Sequence, residues 1–266
     1  MSDAKPLALV TGASSGIGLE LARQLAERGY DLVINARDEA RLQRAAQQIR
    51  AAGARVTAVP ADLRDYGRTE ALFDSATEPG RPLDVVVLNA GVGRGGAFTD
   101  TDLADELEII DLNVRSTVHL AKRAVRHMTA HHAGRILVTS SIASTVPGSF
   151  QAVYNASKSF LQSFTQALRN ELKDSGVTLT SLMPGPTETD FFHRAEMDDT
   201  KVGRQQKDDP AEVARQGLDA LFAGREKIVA GSARTKAQAL VNKVLPDRIK
   251  AEAHRKMAGP GSGVRE

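Results

Sequence analysis

The sequence predicts an α/β protein built on a doubly wound parallel sheet of about seven strands, with helices on both faces. Short apolar runs of strand length alternate with segments of helical periodicity, which indicates right-handed βαβ crossovers. A glycine-rich turn follows the first of these runs. Residues of chemical interest recur just after predicted strands, where sheets of this kind bind ligands. These features are typical of a Rossmann-type fold.

The predicted strands are apolar runs that end at a turn or a polar residue. Leu7–Val10 stops at the glycine-rich turn, and Asp84–Asn89 contains three consecutive valines between polar residues. Continuous runs of this kind indicate strands that are buried on both faces of a parallel sheet. In chain order, the predicted strands are Leu7–Val10, Asp31–Ala36, Arg55–Val59, Asp84–Asn89, Gly134–Ser140, Val177–Met183 and Glu226–Ala230.

The predicted helices have apolar residues at helical spacing and end at glycine where a stop is visible. The first helix repeats Ile17, Leu21 and Leu25 and stops at Gly29, and the second stops at Gly53. In chain order, the predicted helical regions are Gly16–Arg28, Asp38–Ala52, Tyr66–Thr77, Asp102–Ala130, Val153–Lys173 and Pro210–Ala223. The segment Gly185–Asp209 is long, charged and aperiodic, which predicts a mobile lid to which Phe191 or Phe192 adds an apolar wall.

Composition narrows the classes of function. The chain has 266 residues, of which 41% are hydrophobic and 26% are charged, values that fit one large globular domain over residues 1–231. A net charge of +2 is too small to indicate a nucleic-acid partner. The sequence contains no cysteine and no histidine spacing typical of a metal site, so redox chemistry requires an organic cofactor. Without a signal-peptide core or a long apolar span, we expect a cytoplasmic protein.

The glycine-rich turn predicts a dinucleotide site. Thr11–Gly18 follows a strand and opens a helix, and it places three glycines within seven positions. Glycines let the backbone approach a pyrophosphate, which the positive helix N-terminus attracts. A plain strand-to-helix turn is the alternative. The predicted contacts are Gly12, Ser14, Ser15, Gly16, Ile17 and Gly18.

The end of the second strand favours NADP over NAD. Folds that use NAD place a carboxylate here, whereas a nearby arginine accommodates a 2′-phosphate. This chain has Ala36 at the acidic position and Arg37 after it. The alternative is that Arg37 is merely solvated and that Asp38 supplies the carboxylate, which would suit NAD.

Two further turns are predicted to contact the adenosine part of the cofactor. After the third strand, Asp62 is placed to bond the adenine amino group and Leu63 to pack on the ring, although Asp62 could equally cap the next helix. After the fourth strand, Asn89, Ala90 and Gly91 form a small, permissive turn beside the adenine ribose.

Tyr154 and Lys158 form the candidate catalytic pair. They are four residues apart, so one helical turn places them on the same face, and Ser141 lies thirteen positions upstream. An ammonium beside a phenol lowers the pKa of the phenol. A shift from about 10 to about 7 requires about 4 kcal/mol and would give a proton donor suited to neutral pH. Alone, the pair also fits an ordinary solvated helix surface.

Together, these residues resemble the classical short-chain dehydrogenase/reductase family over roughly residues 5–231, and the chain looks most like a broad bacterial branch of it. Two residues depart from the pattern. Leu88 stands where the family commonly has asparagine, and Ser15 stands where its NADP-preferring members often have a basic residue. The matching features are Thr11–Gly18, Asn89–Gly91, Asn113, Ser141, Tyr154 with Lys158, Pro184 with Gly185, and Thr189.

The resemblance implies an NADP(H)-dependent oxidoreductase that interconverts a carbonyl and an alcohol. Tyr154 would be the acid and base, and Ser141, favoured over Ser140, would polarise the carbonyl oxygen. Lys158 would hold the nicotinamide ribose and lower the Tyr154 pKa, while Asn113 would anchor a water of the proton relay. Contacts to the nicotinamide end of the cofactor would come from Pro184, Gly185, Thr187 and Thr189.

The substrate is predicted to be a small carbonyl or alcohol. Arg94 is a candidate for binding a substrate anion, with a solvated loop arginine as the alternative. Two rival functions are a 3-oxoacyl thioester reductase whose Lys122, Arg123 and Arg126 dock an acidic carrier protein, and a non-catalytic dinucleotide-sensing module. The residues predicted to face the substrate are Val92, Gly93, Arg94, Ala143, Ser144, Val146, Phe150 and Gln151.

Residues 232–266 are predicted to be a basic amphipathic extension. Residues 232–257 contain seven Lys or Arg against two acids. Docking on the domain or across a subunit interface is favoured, with contact to a membrane surface as the alternative. The family resemblance further implies a homodimer or homotetramer formed through the helices around Asp102–Ala130 and Val153–Lys173. The apolar stripe of the extension is Leu240, Val241, Val244, Leu245 and Ile249, interrupted by Pro246.

Overall fold

The architecture is known from a computed structural model that describes residues 5–77 and 81–263. Seven parallel strands form one sheet in the order β3-β2-β1-β4-β5-β6-β7, which confirms the predicted fold class. Residues 264–266 of the predicted extension lie outside the described residues. The strands are β1 Leu7–Thr11, β2 Asp31–Ala36, β3 Val56–Pro60, β4 Val85–Leu88, β5 Gly134–Thr139, β6 Val177–Pro184 and β7 Lys227–Ala230.

The strand order reverses between β1 and β4, and this opens a crevice at their carboxyl ends. Val10 of β1 pairs with Val87 of β4. The Thr11 hydroxyl joins the two strand ends, because it donates to the Val87 carbonyl at 3.2 Å and accepts from the Asn89 backbone N–H at 3.0 Å. The crevice therefore has a fixed floor.

Eleven α-helices are present in the described part of the chain. The predicted helical region Asp102–Ala130 is divided, because a π-helical turn at Ile110–Arg115 separates two α-helices. A 3₁₀ turn, Ile142–Thr145, follows β5. The α-helices are α1 Gly16–Glu27, α2 Glu39–Arg50, α3 Tyr66–Thr77, α4 Leu103–Ile109, α5 Ser116–Ala130, α6 Ala152–Glu171, α7 Phe191–Arg194, α8 Lys201–Arg204, α9 Pro210–Phe222, α10 Ala233–Val244 and α11 Asp247–Ala258.

Two apolar clusters lie on opposite faces of the sheet. One packs α1, α2 and α9 against side chains such as Val10 and Ile34, and the other packs α3, α5 and α6 against side chains such as Leu9 and Val86. Adjacent strand residues thus point to opposite faces, and both faces are covered. Each fully buried leucine or valine contributes roughly 1.5–3 kcal/mol.

A third cluster covers the carboxyl end of the sheet. It contains the buried residues Phe192, Ala195, Met197 and Ala258. We call residues 185–209 together with α11 the cap. The predicted aperiodic lid thus contains the short helices α7 and α8, and its apolar side chains pack against the C-terminal helix. Two ends of the lid meet in a parallel bridge between Thr187 and Asp208.

The C-terminal extension forms α10 and α11 on either side of Pro246. Both helices dock on the domain, but they do so through Thr235, Ala239 and Ala258 rather than through the predicted apolar stripe. Leu240 and Val244 of the stripe remain 64% and 80% exposed. Among the helices of the described chain, none is both long enough and apolar enough to cross a bilayer.

Candidate active site

A cavity of about 500 Å³ opens at the carboxyl ends of the strands. Every residue predicted from the sequence to contact the cofactor lines it, as does Ser141, whereas Asn113 does not. The lining includes Gly12, Ser14, Ser15, Gly16, Ile17, Gly18, Arg37, Asp62, Leu63, Asn89, Ala90, Gly91, Ser141, Tyr154, Lys158, Pro184, Gly185, Thr187 and Thr189.

The glycine-rich turn forms a cradle that excludes side chains. Gly12 and Gly16 adopt left-handed backbone angles, with φ of +67° and +56°. A Cβ at Gly12 would lie 2.9 Å from the Ala90 Cα, and one at Gly18 would collide with the Gly12 carbonyl. Helix α1 begins directly after this turn, so its N-terminus faces the cavity. The cradle fits a dinucleotide pyrophosphate.

Three arginines gather at the β2 end of the cavity. Arg37 is 66% exposed and forms a 3.3 Å ion pair with Glu108. Arg41, on the first turn of α2, pairs with Asp190 of the cap. Partial desolvation lowers the pKa of Arg194, and the positive charges of Arg41 and Arg37 lower it further. The three guanidinium groups are therefore within electrostatic reach of one another and fit a phosphate.

Asp38 lines this end of the cavity, and one of its carboxylate oxygens caps the following helix. Its side chain accepts a 2.9 Å hydrogen bond from the Arg41 backbone N–H and thereby caps α2. An NAD-type arrangement requires the carboxylate to face the ribose. Asp38 thus has one oxygen tied to the start of α2, and its position on the cavity wall is also the one that the NAD alternative requires.

Asp62 is held by its own loop. Its carboxylate accepts from the Arg64 backbone N–H at 3.0 Å and from the Arg64 Nε at 2.9 Å. The hydrogen bonds from Arg64 lower the pKa of Asp62. The alternative in which Asp62 caps the next helix is wrong, because Asp65 accepts from the Arg68 backbone N–H at the start of α3. Leu63 is buried at the edge of the cavity.

Asn89 fastens three strand ends together. Its amide nitrogen donates to the Thr11 carbonyl at 3.2 Å, and its amide oxygen accepts from the Thr139 hydroxyl at 3.1 Å. The side chain therefore connects β1, β4 and β5 below the cavity. Ala90 and Gly91 continue the turn along the cavity wall.

Two adjacent serines have different partners. The Ser140 hydroxyl donates to the Lys158 backbone carbonyl at 3.0 Å and is buried. The Ser141 hydroxyl accepts from the Ala143 N–H at 3.1 Å and lies 3.4 Å from the Pro184 carbonyl. Because Ser140 is committed to the backbone of α6, Ser141 is the better candidate of the two for the serine role predicted from the sequence.

Lys158 is buried, and within residues 5–77 and 81–263 its ammonium has one hydrogen-bond partner. Nζ donates to the Thr139 backbone carbonyl at 2.9 Å and lies 5.7 Å from the centroid of the Tyr154 ring. Burial lowers the pKa of Lys158 to about 8. The ammonium is therefore charged at neutral pH but close to its titration range.

The pKa of Tyr154 does not follow the expectation from the sequence. Burial of the phenol raises its pKa to about 12, and the interaction with Ser141 offsets only part of the rise. Lys158 contributes no hydrogen bond that would lower it, because Nζ is directed to the Thr139 carbonyl. In this structure the phenol is a protonated group at neutral pH, which suits it to donate a proton.

Asn113 sits behind the cavity in the π-helical turn. It is fully buried, and its side-chain amide bonds both backbone groups of Val92 at 2.9 Å. Its Nδ2 also donates to the Ser157 hydroxyl at 3.0 Å. Asn113 thus connects the loop after β4 to the helix that carries Tyr154 and Lys158.

The cap lies directly on the candidate catalytic pair. The rings of Phe191 and Tyr154 have centroids 5.2 Å apart. A Cβ at Gly93 would come within 2.6 Å of the Phe191 ring, and a Cβ at Gly16 within 2.7 Å of Thr189. The lid is therefore closed over both the glycine cradle and Tyr154.

Of the eight residues predicted to face the substrate, four line the cavity and four do not. Val92, Ala143, Val146 and Gln151 line the cavity. The other four residues are not on its wall, and their contact with a substrate stays a prediction. Arg94 pairs with Glu196 of the cap, and Phe150 packs in the cap cluster. Ser144 donates to the Ser141 carbonyl, and Gly93 lies under Phe191.

Several cavity residues escaped the sequence analysis. Arg41 was detectable, because it lies one helical turn after Arg37. Gln238, Asn242, Lys250 and His254 also line the cavity, at helical spacing on α10 and α11. Their apolar neighbours dominated the pattern, and only the folded tail shows which side faces inward. Among the described residues, no three His, Asp or Glu side chains cluster as metal ligands do.

Comparison with known proteins identifies the class to which this fold and site belong. The profile of the short chain dehydrogenase family matches residues 6–200. This chain belongs to that family, as a member of its classical branch.

Individual relatives agree with this assignment. Ketoacyl reductase HetN of Nostoc is 33% identical over 66% of this chain and 62% of its own length. A short-chain dehydrogenase from Sphingobium yanoikuyae in complex with NADPH is 28% identical, with a TM-score of 0.79 over 91% of this chain and 96% of that one. A short chain dehydrogenase/reductase from Burkholderia phymatum in complex with NAD is 26% identical, with a TM-score of 0.79 over 91% and 92%. Similar proteins thus bind either cofactor.

Proposed function

We propose that this oxidoreductase is NADP(H)-dependent and interconverts a carbonyl and an alcohol, with Tyr154 as the acid and base. The observation that carries the proposal is the meeting of Ser141, Tyr154 and Lys158 in one cavity with the glycine cradle. A bound nicotinamide would supply or accept the hydride, and the protein supplies position and a proton.

Each polar group at the reaction centre has a separate task. The Ser141 hydroxyl binds the carbonyl oxygen, and the Tyr154 phenol donates its proton to that oxygen as reduction proceeds. The Lys158 ammonium adds a nearby positive charge that stabilises the phenolate left behind. Asn113 joins the loop at Val92 to Ser157 of α6 and thereby helps to position the helix that carries Tyr154 and Lys158.

The arginines at the β2 end support NADP as the cofactor. Arg37, Arg41 and Arg194 converge there, and Asp38 is occupied by the N-terminus of α2. A 2′-phosphate would gain charge-assisted hydrogen bonds that NAD cannot make. The cradle residues would hold the pyrophosphate, and Pro184, Gly185, Thr187 and Thr189 would border the nicotinamide end.

The experiment is a panel of ketones and alcohols tested with NADPH and with NADH, followed by nicotinamide absorbance. We expect reduction of at least one ketone, with a preference for NADPH. Tyr154→Phe should abolish turnover and retain NADPH binding. Near-normal turnover in this variant would refute the mechanism, and a preference for NADH would refute the cofactor assignment alone.

A 3-oxoacyl thioester reductase is the second candidate, favoured by the name of the Nostoc relative. Of the three predicted docking residues, Lys122 and Arg126 are exposed, whereas Arg123 forms ion pairs with Glu70 and Asp74. Direct assay with a 3-oxoacyl thioester distinguishes the two candidates. A non-catalytic sensing module would not need Ser141 beside Tyr154, and turnover by the purified protein would exclude it.

We further propose a cytoplasmic homo-oligomer. Large apolar side chains are exposed on the two helical regions expected to form the interface, among them Leu103, Leu107, Ile110 and Phe160. Exposed apolar patches of this kind mark interaction surfaces. Light scattering of the purified protein should therefore give the mass of a dimer or a tetramer, and a monomer would contradict the proposal.

A further inference from the structure

The C-terminal helix α11 forms the wall of the cavity that faces the loop after Ser141. Lys250, His254 and Met257 repeat at helical spacing, and all three line the cavity. Three hydrogen bonds fix this helix to the loop, namely Lys250 Nζ to the Thr145 carbonyl at 3.0 Å, His254 Nδ1 to the Ser149 carbonyl at 2.9 Å, and the Ser149 hydroxyl to the Ala251 carbonyl at 3.2 Å. The wall is thus part of the site and held in register with Ser141.

The bond to Ser149 determines the tautomer of His254. A backbone carbonyl can only accept, so Nδ1 must carry the proton. Burial lowers the pKa of His254, although the bond to Ser149 opposes this, and the ring is neutral at pH 7. Nε2 then has a free lone pair, and among residues 5–77 and 81–263 it has no hydrogen-bond partner. Because His254 lines the cavity, we take this acceptor as available to a ligand there.

The remaining polar groups of this wall are uncharged or already neutralised. Gln151, Gln238 and Asn242 line the cavity, and within the described chain their side chains bond no other group. Lys250 is the one charged side chain named on this wall, but its ammonium pairs with Asp247 at 2.6 Å and donates to the Thr145 carbonyl. The wall thus has unsatisfied capacity for neutral hydrogen-bonding groups and no free cation.

We propose that the substrate is an uncharged carbonyl compound with a second polar group, a hydroxyl, which donates a hydrogen bond to Nε2 of His254. This inference rests on the proposed function and specifies its substrate class. A lone anion would find no unpaired cation on this wall. A purely aliphatic chain would leave the carboxamides of the buried Gln151 and the half-buried Asn242, and the His254 imidazole, without partners. Burying such groups unpaired is costly.

The discriminating experiment uses ω-hydroxy-2-alkanones from butanone to heptanone, each paired with its unsubstituted 2-alkanone. The variant His254→Asn retains a donor for the Ser149 carbonyl but removes the acceptor at the Nε2 position. His254→Gln places an acceptor near Nε2 instead. Lys256→Gln, exposed on the opposite side of α11, is the matched control. The kcat and KM of each pair are measured with NADPH.

At one chain length, we expect the wild-type KM for the hydroxylated ketone to be about tenfold lower than that for the plain ketone. This is the gain expected from one hydrogen bond. His254→Asn should lose this preference and His254→Gln should keep part of it, whereas Lys256→Gln should keep all of it together with the wild-type kcat. Wild-type reduction without a hydroxyl preference at any length, or a preference that persists in His254→Asn, would overturn the inference and leave the proposed function intact.

An activity-independent measurement separates this inference from the proposed function. Long-range ¹H–¹⁵N correlation of the imidazoles, with His254 assigned by the His254→Asn variant, reports which nitrogen is protonated. We expect a proton on Nδ1 and a shift of Nε2 on addition of the hydroxyketone but not of the plain ketone. A proton on Nε2, or equal shifts with both ketones, refutes the assignment even if no substrate is turned over.

Discussion

The ammonium of Lys158 donates to the backbone carbonyl of Thr139 at 2.9 Å and does not contact the phenol of Tyr154. Thr139 ends β5, and its own hydroxyl bonds Asn89 at the end of β4. The ammonium is thereby attached to the floor of the crevice, 5.7 Å from the centre of the Tyr154 ring. Its charge acts on the phenol through space over this short distance, and so its titration should be visible in catalysis.

The first prediction concerns the pH dependence of reduction. The pKa of Lys158 is lowered to about 8 and that of Tyr154 is raised to about 12. As pH rises through 8, the phenol keeps its proton but Lys158 loses its charge. We expect kcat/KM for reduction to be level below this range and to decline above it, as that parameter reports groups of the free enzyme. A profile that stays level to well above pH 9 would show that the charge of Lys158 does not assist.

The second prediction compares the two adjacent serines. Ser141→Ala removes the hydroxyl that would bind the carbonyl oxygen, and we expect kcat to fall by about 10²–10³, as for loss of one oxyanion donor. Ser140→Ala removes only a bond to the Lys158 backbone. It should lower stability by about 1 kcal/mol and leave kcat within a few-fold of the wild type. Steady-state kinetics and thermal melts of the pair test this assignment, and a larger kinetic loss in Ser140→Ala would reverse it.

The sequence predicted the sheet and the cradle well because their determinants are local. The run at Val85–Leu88 and the glycines at Gly12 and Gly18 constrain the backbone wherever they occur. The pKa of Tyr154 was mispredicted for a different reason: the direction of Lys158 Nζ depends on Thr139, which is distant in sequence.

The substrate wall shows the same limit. The polar face of α10 and α11 is defined only once Pro246 turns the chain and Ala258 docks beside Phe192. The sequence pattern emphasised Leu240 and Val244, which the fold leaves in solvent. The periodicity of apolar residues therefore could not predict which side chains of α10 and α11 line the cavity, because that depends on tertiary contacts.

The third prediction tests the arginine group at the β2 end. Arg194→Gln removes one guanidinium that the cap contributes, and Arg41→Gln removes its neighbour on α2. If these groups bind a 2′-phosphate, each variant should weaken NADPH by about 10–100-fold and leave NADH nearly unchanged, the range for a hydrogen bond to a charged group. Titration calorimetry with both cofactors measures this. Equal losses for NADPH and NADH would instead indicate a general effect on the cap.

The fourth prediction concerns acid stability. Asp31, at the start of β2, is buried and pairs with Arg55 at 2.8 Å and Arg81 at 3.1 Å. Burial alone would raise the pKa of Asp31, but the hydrogen bonds from Arg55 outweigh it and the pKa is lowered. A carboxyl whose pKa is lowered by folding stabilises the protein above its unfolded pKa of about 3.9, and this contribution disappears as pH falls through the folded value.

Asp31→Asn should therefore lower the free energy of unfolding at pH 7 by about 2 kcal/mol, the value of hydrogen bonds to a charged group. The difference from the wild type should shrink as the pH falls below about 4, because the carboxyl is then protonated first in the unfolded chain and, at still lower pH, in the folded protein. Urea unfolding across this pH range measures both quantities. A difference that is constant with pH would mean that the charge of Asp31 contributes nothing.

The fifth prediction separates the cap from the sheet. Ala258 is 1% exposed and packs with Phe192, Ala195 and Met197 in a cluster distinct from the two clusters on the sheet faces. Ala258→Asp places a charge in this cluster, whereas Ala237→Asp makes the same change at an exposed position of α10. We expect Ala258→Asp to speed chymotryptic cleavage at Phe191 and Phe192 and to lower kcat/KM.

The main thermal transition of Ala258→Asp should nevertheless stay close to that of Ala237→Asp, because the sheet clusters do not include the cap. NADPH should slow cleavage of the wild type. Thr189 belongs to the lid and lies beside Gly16 of the glycine cradle, so cofactor contacts there would hold the lid closed. If Ala258→Asp instead melts as a whole at a much lower temperature, the cap and the sheet form one cooperative unit. In that case closure of the lid would require partial unfolding of the domain rather than movement of residues 185–209 alone.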